Sequence, residues 1–245
     1  TALMQAIDAA CTQALVDGGA QLDICDERGD SALAVAAAHG RVAVVQTLVA
    51  AKAALFTENS DKQTPLVLAV KNNCSDVVDI LAHAADGHGY TALMIAAAGG
   101  DVALINVLNR VGVALDTKND QDETALLLAV KSRQETAAEV LIAAGALVDE
   151  ADKQGNTPLL IAAGAGLVDV VRLLVSAKAS MFVANAAGET PLACALAKDH
   201  VDVVRVLVHI QDTNGNTALS LAAYAGDVDT ARKLLAANAS LDVVN

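Results

Sequence analysis

Aromatic side chains are almost missing from this chain: they make up 2% of its 245 residues, and there is no Trp. That argues against a cofactor pocket walled by rings. Basic residues are outnumbered 16 to 29, which leaves a formal net charge of −13. Nucleic acid calls for concentrated Lys and Arg, so that class is disfavoured, as is an anionic membrane surface. The acidity suits solubility and a basic partner, and an elongated protein also needs a charged surface for its own sake. No apolar run approaches the about 20 residues of a spanning helix; the most suggestive, residues 159–168, is followed by Asp169 and Arg172. No signal peptide is visible, although the chain starts at Thr1. The four cysteines, Cys11, Cys25, Cys74 and Cys194, form no C-x-x-C pair. Buried free thiols in a reducing compartment are the simplest reading, which places the protein inside the cell, in the cytoplasm.

Catalytic signatures are missing as well. There is no G-x-x-x-x-G-K-[ST] loop, no G-x-S-x-G elbow and no H-E-x-x-H helix. His83 and His88 lie close together but lack a carboxylate or Cys at ligand spacing, so they read as part of a polar loop. No enzyme, cofactor or metal is expected.

What the chain does contain is a repeated unit, clearest at residues 156–180, NTPLLIAAGAGLVDVVRLLVSAKAS. Its openings, Thr-Pro-Leu, Thr-Ala-Leu or Ser-Ala-Leu, fall at Thr1, Ser31, Thr64, Thr91, Thr124, Thr157, Thr190 and Thr217. The steps between them are 30, 33, 27, 33, 33, 33 and 27 residues. A Thr or Ser hydroxyl caps a first helix, and Pro65, Pro158 and Pro191 stand where a helix tolerates Pro. Gly166 suits a turn, and 168–176 carries apolar residues at helical spacing. Helices this short need neighbouring copies to hold them, which is the logic of a solenoid.

The 33-residue period with its Thr-Pro-Leu opening resembles the ankyrin repeat. The resemblance covers essentially the whole chain. It implies an all-α solenoid of stacked helix-turn-helix units with short β-hairpin fingers, a single domain over 1–245. One family feature is missing. The His that bonds between neighbouring loops is replaced by Met4, Ala34, Val67, Met94, Leu127, Leu160, Ala193 and Ser220, so apolar packing is expected to replace most of that ladder.

Longer periods are nested on the unit. Gly40, Gly100, Gly166 and Gly226 alternate with Asn73, Arg133 and Asp199, and the odd copies carry Lys71, Lys131 and Lys198. The two 27-residue steps lie 126 residues apart, as do Phe56 and Phe182. Each short step removes six residues from the connection after a second helix, too few to leave two strands and a turn. Tight loops, and so two notches in the row of fingers, are expected before Thr91 and Thr217.

Seven steps at about 10 Å give a stack roughly 70 Å long, and solenoids bind through an extended concave face. Carried over from the resemblance, the finger-tip residues are Glu27, Arg28, Asp30, Asp61, Gln63, His88, Tyr90, Gln121, Glu123, Lys153, Gln154, Asn156, Glu189, Asn214 and Asn216. The first helices add His39, Lys71, Asn72, Lys131, Lys198 and Tyr224. Tyr90 and Tyr224 are either interface anchors or fillers of the trimmed space. Phe56 and Phe182 read more simply as packing on the next copy, and Lys71 and Lys131 as an ordinary solvated face. The function this implies is non-catalytic binding of another protein. The rival reading is structural: a spacer or end-to-end assembling segment of a longer array, since both ends look cut from one, or an engineered repeat protein. The oligomeric expectation is a monomer or end-to-end association.

Overall fold

A helix leaves its first N–H groups without intrahelical partners, and each repeat opening supplies a hydroxyl for one of them. The computed structural model describes residues 1–210, 215–226, 228–236 and 239. Ser31 Oγ accepts from the Ala34 N–H at 3.2 Å, Thr124 Oγ1 from Leu127 at 3.3 Å, and Thr157 Oγ1 from Leu160 at 3.3 Å. Such a cap contributes about 1 kcal/mol. Pro65, Pro158 and Pro191 follow their caps in the first helical turn, where a missing N–H leaves nothing unpaired.

Among the described residues the chain is helical, with sixteen helices and an isolated β-bridge from Ala85 to Thr91. The first four copies give α1 (Ala2–Gln5) and α2 (Ala9–Asp17), α3 (Ala32–Ala38) and α4 (Val42–Ala50), α5 (Pro65–Lys71) and α6 (Ser75–His83), α7 (Ala92–Gly99) and α8 (Val102–Val111). The last four give α9 (Ala125–Lys131) and α10 (Glu135–Ala143), α11 (Pro158–Ala165) and α12 (Val168–Ser176), α13 (Pro191–Ala197) and α14 (Val201–Leu207), α15 (Ala218–Ala225) and α16 (Val228–Ala236). The fold is an all-α solenoid.

Two compact units are formed, Thr1–Ala96 with Asp101–Asp120, and Ala97–Gly100 with Gln121–Asn245. In the first, α1, α3 and α5 pack side by side as one row, and α2, α4, α6 and α8 as another. In the second, α9, α11 and α13 form one row, α10, α12 and α14 the other, and α15 packs on α16. The Leu two residues after an opening fills the space between rows in every copy but the seventh, where Leu192 is half-buried. Leu33, Leu93, Leu126 and Leu159 are at most 1% exposed, each contributing about 1.5–3 kcal/mol of burial. The Ala five residues after the opening is buried in all eight copies, and wholly so at Ala69, Ala129, Ala162 and Ala195.

The fingers are hydrogen-bonded turns built on an Asp or Asn five residues before the opening. Asp26 Oδ1 accepts from the N–H groups of Arg28 and Asp30 at 2.8 and 2.9 Å. Asn59, Asp86, Asp152 and Asn185 do the same for the residues two and four places on. This is the Asx turn, a side chain standing in for a backbone carbonyl. Gly29 (φ +78) must be Gly, because a Cβ there would come within 3.1 Å of the Ser60 nitrogen in the next finger.

The trimmed connection before Thr91 keeps this turn intact. Asp86 N–H donates to the Tyr90 carbonyl at 3.0 Å, as Asn59 N–H does to Gln63. The six residues are missing from the stretch between helix end and turn, because α6 ends at His83 and the turn begins at Asp86. The trimmed connection before Thr217 includes residues 211–214, outside the described residues.

Candidate interaction surface

Consecutive fingers are joined by a rail of backbone hydrogen bonds. The Ser60 N–H donates to the Arg28 carbonyl at 2.9 Å, Asp120 to His88 at 2.9 Å, Lys153 to Gln121 at 3.1 Å, and Ala186 to Gln154 at 2.9 Å. Side chains add rungs: Asn59 Nδ2 donates to Asp30 Oδ1, and Asn185 Nδ2 to Asn156 Oδ1, both at 2.9 Å. At the positions where the His ladder is missing, Met4, Ala34, Met94, Leu127 and Leu160 are buried apolar side chains, and polar bonds join the loops beside them.

The rail fixes the tip backbone and leaves many tip side chains outside it. Glu27, Arg28, Asp61, Lys153 and Gln154 are exposed, and their side chains make no hydrogen bond or ion pair among the described residues. Gln121, His88 and Glu189 are exposed too. His88 Nδ1 lies 3.7 Å from Asp120 Oδ2, and Glu189 Oε2 accepts from Asn185 Nδ2 at 3.0 Å. Asp30, Gln63, Tyr90, Asn156 and Asn216 are half-buried, and Glu123 is buried. Asn214 lies outside the described residues. On the first helices His39, Lys71, Asn72 and Lys198 are exposed, and Tyr224 is 95% exposed. The two tyrosines therefore differ: Tyr224 is open to solvent, while Tyr90 is half covered.

Lys131 is not a plain solvated lysine. Its Nζ donates to Glu123 Oε1 at 2.7 Å and to Asp152 Oδ2 at 2.8 Å, and Asn156 Nδ2 also reaches Asp152 Oδ2 at 3.2 Å. The Asp152 side chain is 1% exposed. Burial alone would lower the Lys131 ammonium, but its hydrogen bonds to Asp152 and Glu123 and their charges hold it above 10.5. Burial would likewise raise the Asp152 carboxyl, but the bonds from Lys131 and Asn156 hold it below 3.8. The clamp ties the end of α9 to two fingers, so Lys131 is held by carboxylates of its own chain.

The cysteines are free, but only Cys194 is buried; Cys11 and Cys25 are exposed and Cys74 half-buried. The expectation of buried thiols fails for those three because they stand at helix ends and loops, not between rows. Burial pushes the Cys194 thiol up, away from the reactive thiolate. His83 Nδ1 bonds to the Asp79 carbonyl at 2.8 Å within α6, apart from His88. Among the described residues no group of three His, Cys, Asp or Glu is placed to hold a metal, and no helix is long and apolar enough to cross a membrane.

A comparison with curated proteins finds no match. The family profile described as "Ankyrin repeats (3 copies)" matches residues 3–91, 53–119, 93–185 and 178–245, which together run almost from end to end. Capped helix pairs, Asx fingers and this match agree, and the chain belongs to the ankyrin-repeat family.

Proposed function

We propose that the chain is a non-catalytic module that binds another protein, in each unit, through its finger tips and the exposed ends of its first helices. Repeats of this family generally serve protein–protein interaction. One observation supports the finer reading: the rail and the Asx turns hold the tip backbone, while the exposed Glu27, Arg28, Lys153 and Gln154 side chains have no partner among the described residues. A surface ordered before binding loses less entropy on association. Arg28 and Tyr224 are the residue types that most often anchor such contacts.

The test uses the whole chain as bait for partner capture, followed by titration of the captured protein. Two triple variants are compared, Glu27→Ala with Arg28→Ala and Asp61→Ala, and Lys153→Ala with Gln154→Ala and Tyr224→Ala. These side chains are exposed, so unfolding should shift by less than about 0.5 kcal/mol. The expected result is at least a tenfold loss of affinity in one of them. Equal affinity of both variants and the original would overturn the tip assignment.

A further inference from the structure

Two Asp residues tie their connection to the next one. Asp23 Oδ1 accepts from the Ala54 N–H at 2.8 Å, 31 residues on. Asp149 accepts from Ser180 twice, from N–H and from Oγ–H, both at 2.7 Å and again 31 residues on. Each stands three places before the turn Asx, and Asp116 stands there too. Phe56 and Phe182 hold that place before Asn59 and Asn185, in the two connections that a trimmed one follows. Phe182 is 42% exposed and borders a cavity of about 520 Å³.

This cavity lies between the seventh and eighth copies. Leu192, Ala193 and Leu196 of α13 form one wall, Ala222 of α15 belongs to another, and Asp229 and Lys233 of α16 complete the lining together with further apolar side chains. Other junctions are closed at the same places. Ala34, Leu127 and Leu160, three residues after their openings, are buried, but Ala193 is exposed. Ala37, Val130 and Ala163, six residues after, are at most 1% exposed, but Leu196 is half-buried. In the third copy Val67 and Val70 are half-buried there. A mostly apolar space with few polar groups is the usual form of a small-molecule site, whose volume runs from about 300 to 1,000 Å³. The two charges in the lining differ. Lys233 Nζ is engaged: it donates to the Leu196 carbonyl at 3.4 Å and lies 3.9 Å from Asp199 Oδ1. Asp229, in the first turn of α16, makes no hydrogen bond or ion pair among the described residues. The unengaged charge at the cavity is therefore negative.

We propose that this cavity binds a small amphipathic amine, with its apolar body between α13 and α15 and its protonated nitrogen at the Asp229 carboxylate. The apolar body gives Ala193 and Leu196 the cover that Leu160 and Ala163 have one copy earlier. The ammonium gives Asp229 the charge-assisted hydrogen bond that it lacks within the chain. A carboxylate ligand meets the opposite situation, because Asp229 repels it and Lys233 is already engaged. The site includes none of Glu27, Arg28, Lys153 and Gln154 and does not depend on the tip assignment.

The probes are decylammonium, decanoate and decanol, which share one tail and differ in charge. Each is titrated into the whole chain below its micelle concentration. Decylammonium is expected to bind saturably and about tenfold more tightly than the other two, a difference that one ion pair supplies. Its NMR shift changes should fall on residues 192–197 and 218–222. Asp229→Asn should abolish the preference for the ammonium and leave decanol bound. Asp169→Asn, which removes an exposed acid in the first turn of α12, should change nothing, and so separates the site from general attraction to an acidic chain. Ala193→Leu fills the cavity from an exposed position and should block all three probes. The proposal is overturned by binding that does not saturate, by shifts that fall elsewhere, or by decanol binding as tightly as decylammonium. It is equally overturned if the ammonium preference survives in Asp229→Asn, or if Ala193→Leu binds as before with its helix content intact.

Discussion

Helices α5 and α9 read almost the same, PLVLAVK and ALLLAVK, and meet different fates. On α9, Leu127 and Val130 are 0% and 1% exposed, and Lys131 is clamped by Glu123 and Asp152. On α5, Val67 and Val70 are half-buried, and Lys71 is exposed, with no ion pair among the described residues. Gln63 replaces Glu123, so one carboxylate is missing. The larger difference comes after the second helix: the copy following α9 has a full connection, and the copy following α5 has one that is six residues shorter. The two faces differ in cover although their local sequences nearly agree, so what decides the cover lies outside the helix itself.

The comparison breaks most visibly at the turn acids. Asp152→Ala removes an ion-pair partner and two backbone acceptor bonds; Asp86→Ala removes only the two backbone bonds. Losing one side of a buried pair is costly, but Lys131 is a third exposed and keeps Glu123, which reduces the cost. The expected losses in urea unfolding are about 2–3 kcal/mol for Asp152→Ala and about 1–2 kcal/mol for Asp86→Ala. Equal losses would mean that the clamp adds nothing.

The same clamp carries a pH signature that the α5 junction lacks. Asp152 is held below its ordinary 3.8, so its contribution is complete above that value and is lost as pH falls through the lowered one. Lys131 is held above 10.5, so its contribution is complete below that and is lost as pH rises through the raised one. Unfolding free energy measured against pH should show the original and Asp152→Asn converging in strong acid. A constant gap down through the acid limb would contradict the assignment.

Much of the fold was legible because it rests on local chemistry. The caps, the prolines and the left-handed Gly166 (φ +73) each act within a few residues. The fingers were legible only as tip residues. Their builders, from Asp26 to Asn185, stand five places before the openings, and a reading centred on the openings passes over them. The clamp was illegible because it joins residues 8 and 21 positions apart across a turn. The trim was visible as a length. Which part was missing required seeing that Asp86 still makes its turn.

A smaller effect tests the connection itself. Asp149→Ala removes two bonds to Ser180, both exposed, and should lower stability by about 1 kcal/mol. Hydrogen exchange of the Ser180 amide should speed up by a similar measure, while the Leu55–Thr57 amides, which belong to the other compact unit, stay as they are. An unchanged Ser180 amide would remove the physical reason for Asp at this position, and with it the reason why Phe replaces it.

The smallest effect concerns how the two kinds of connection begin. Those with Asp leave the second helix through a left-handed Gly, at Gly19 (φ +82), Gly112 (φ +85) and Gly145 (φ +96). Those with Phe use a left-handed Lys, at Lys52 (φ +67) and Lys178 (φ +68). A side chain in that region is strained and Gly is not. Lys52→Gly should therefore stabilise the chain by about 0.5–1 kcal/mol, read as a higher denaturation midpoint, less the entropy that Gly returns to the unfolded chain. An unchanged or lower midpoint would contradict the strain assigned to Lys52.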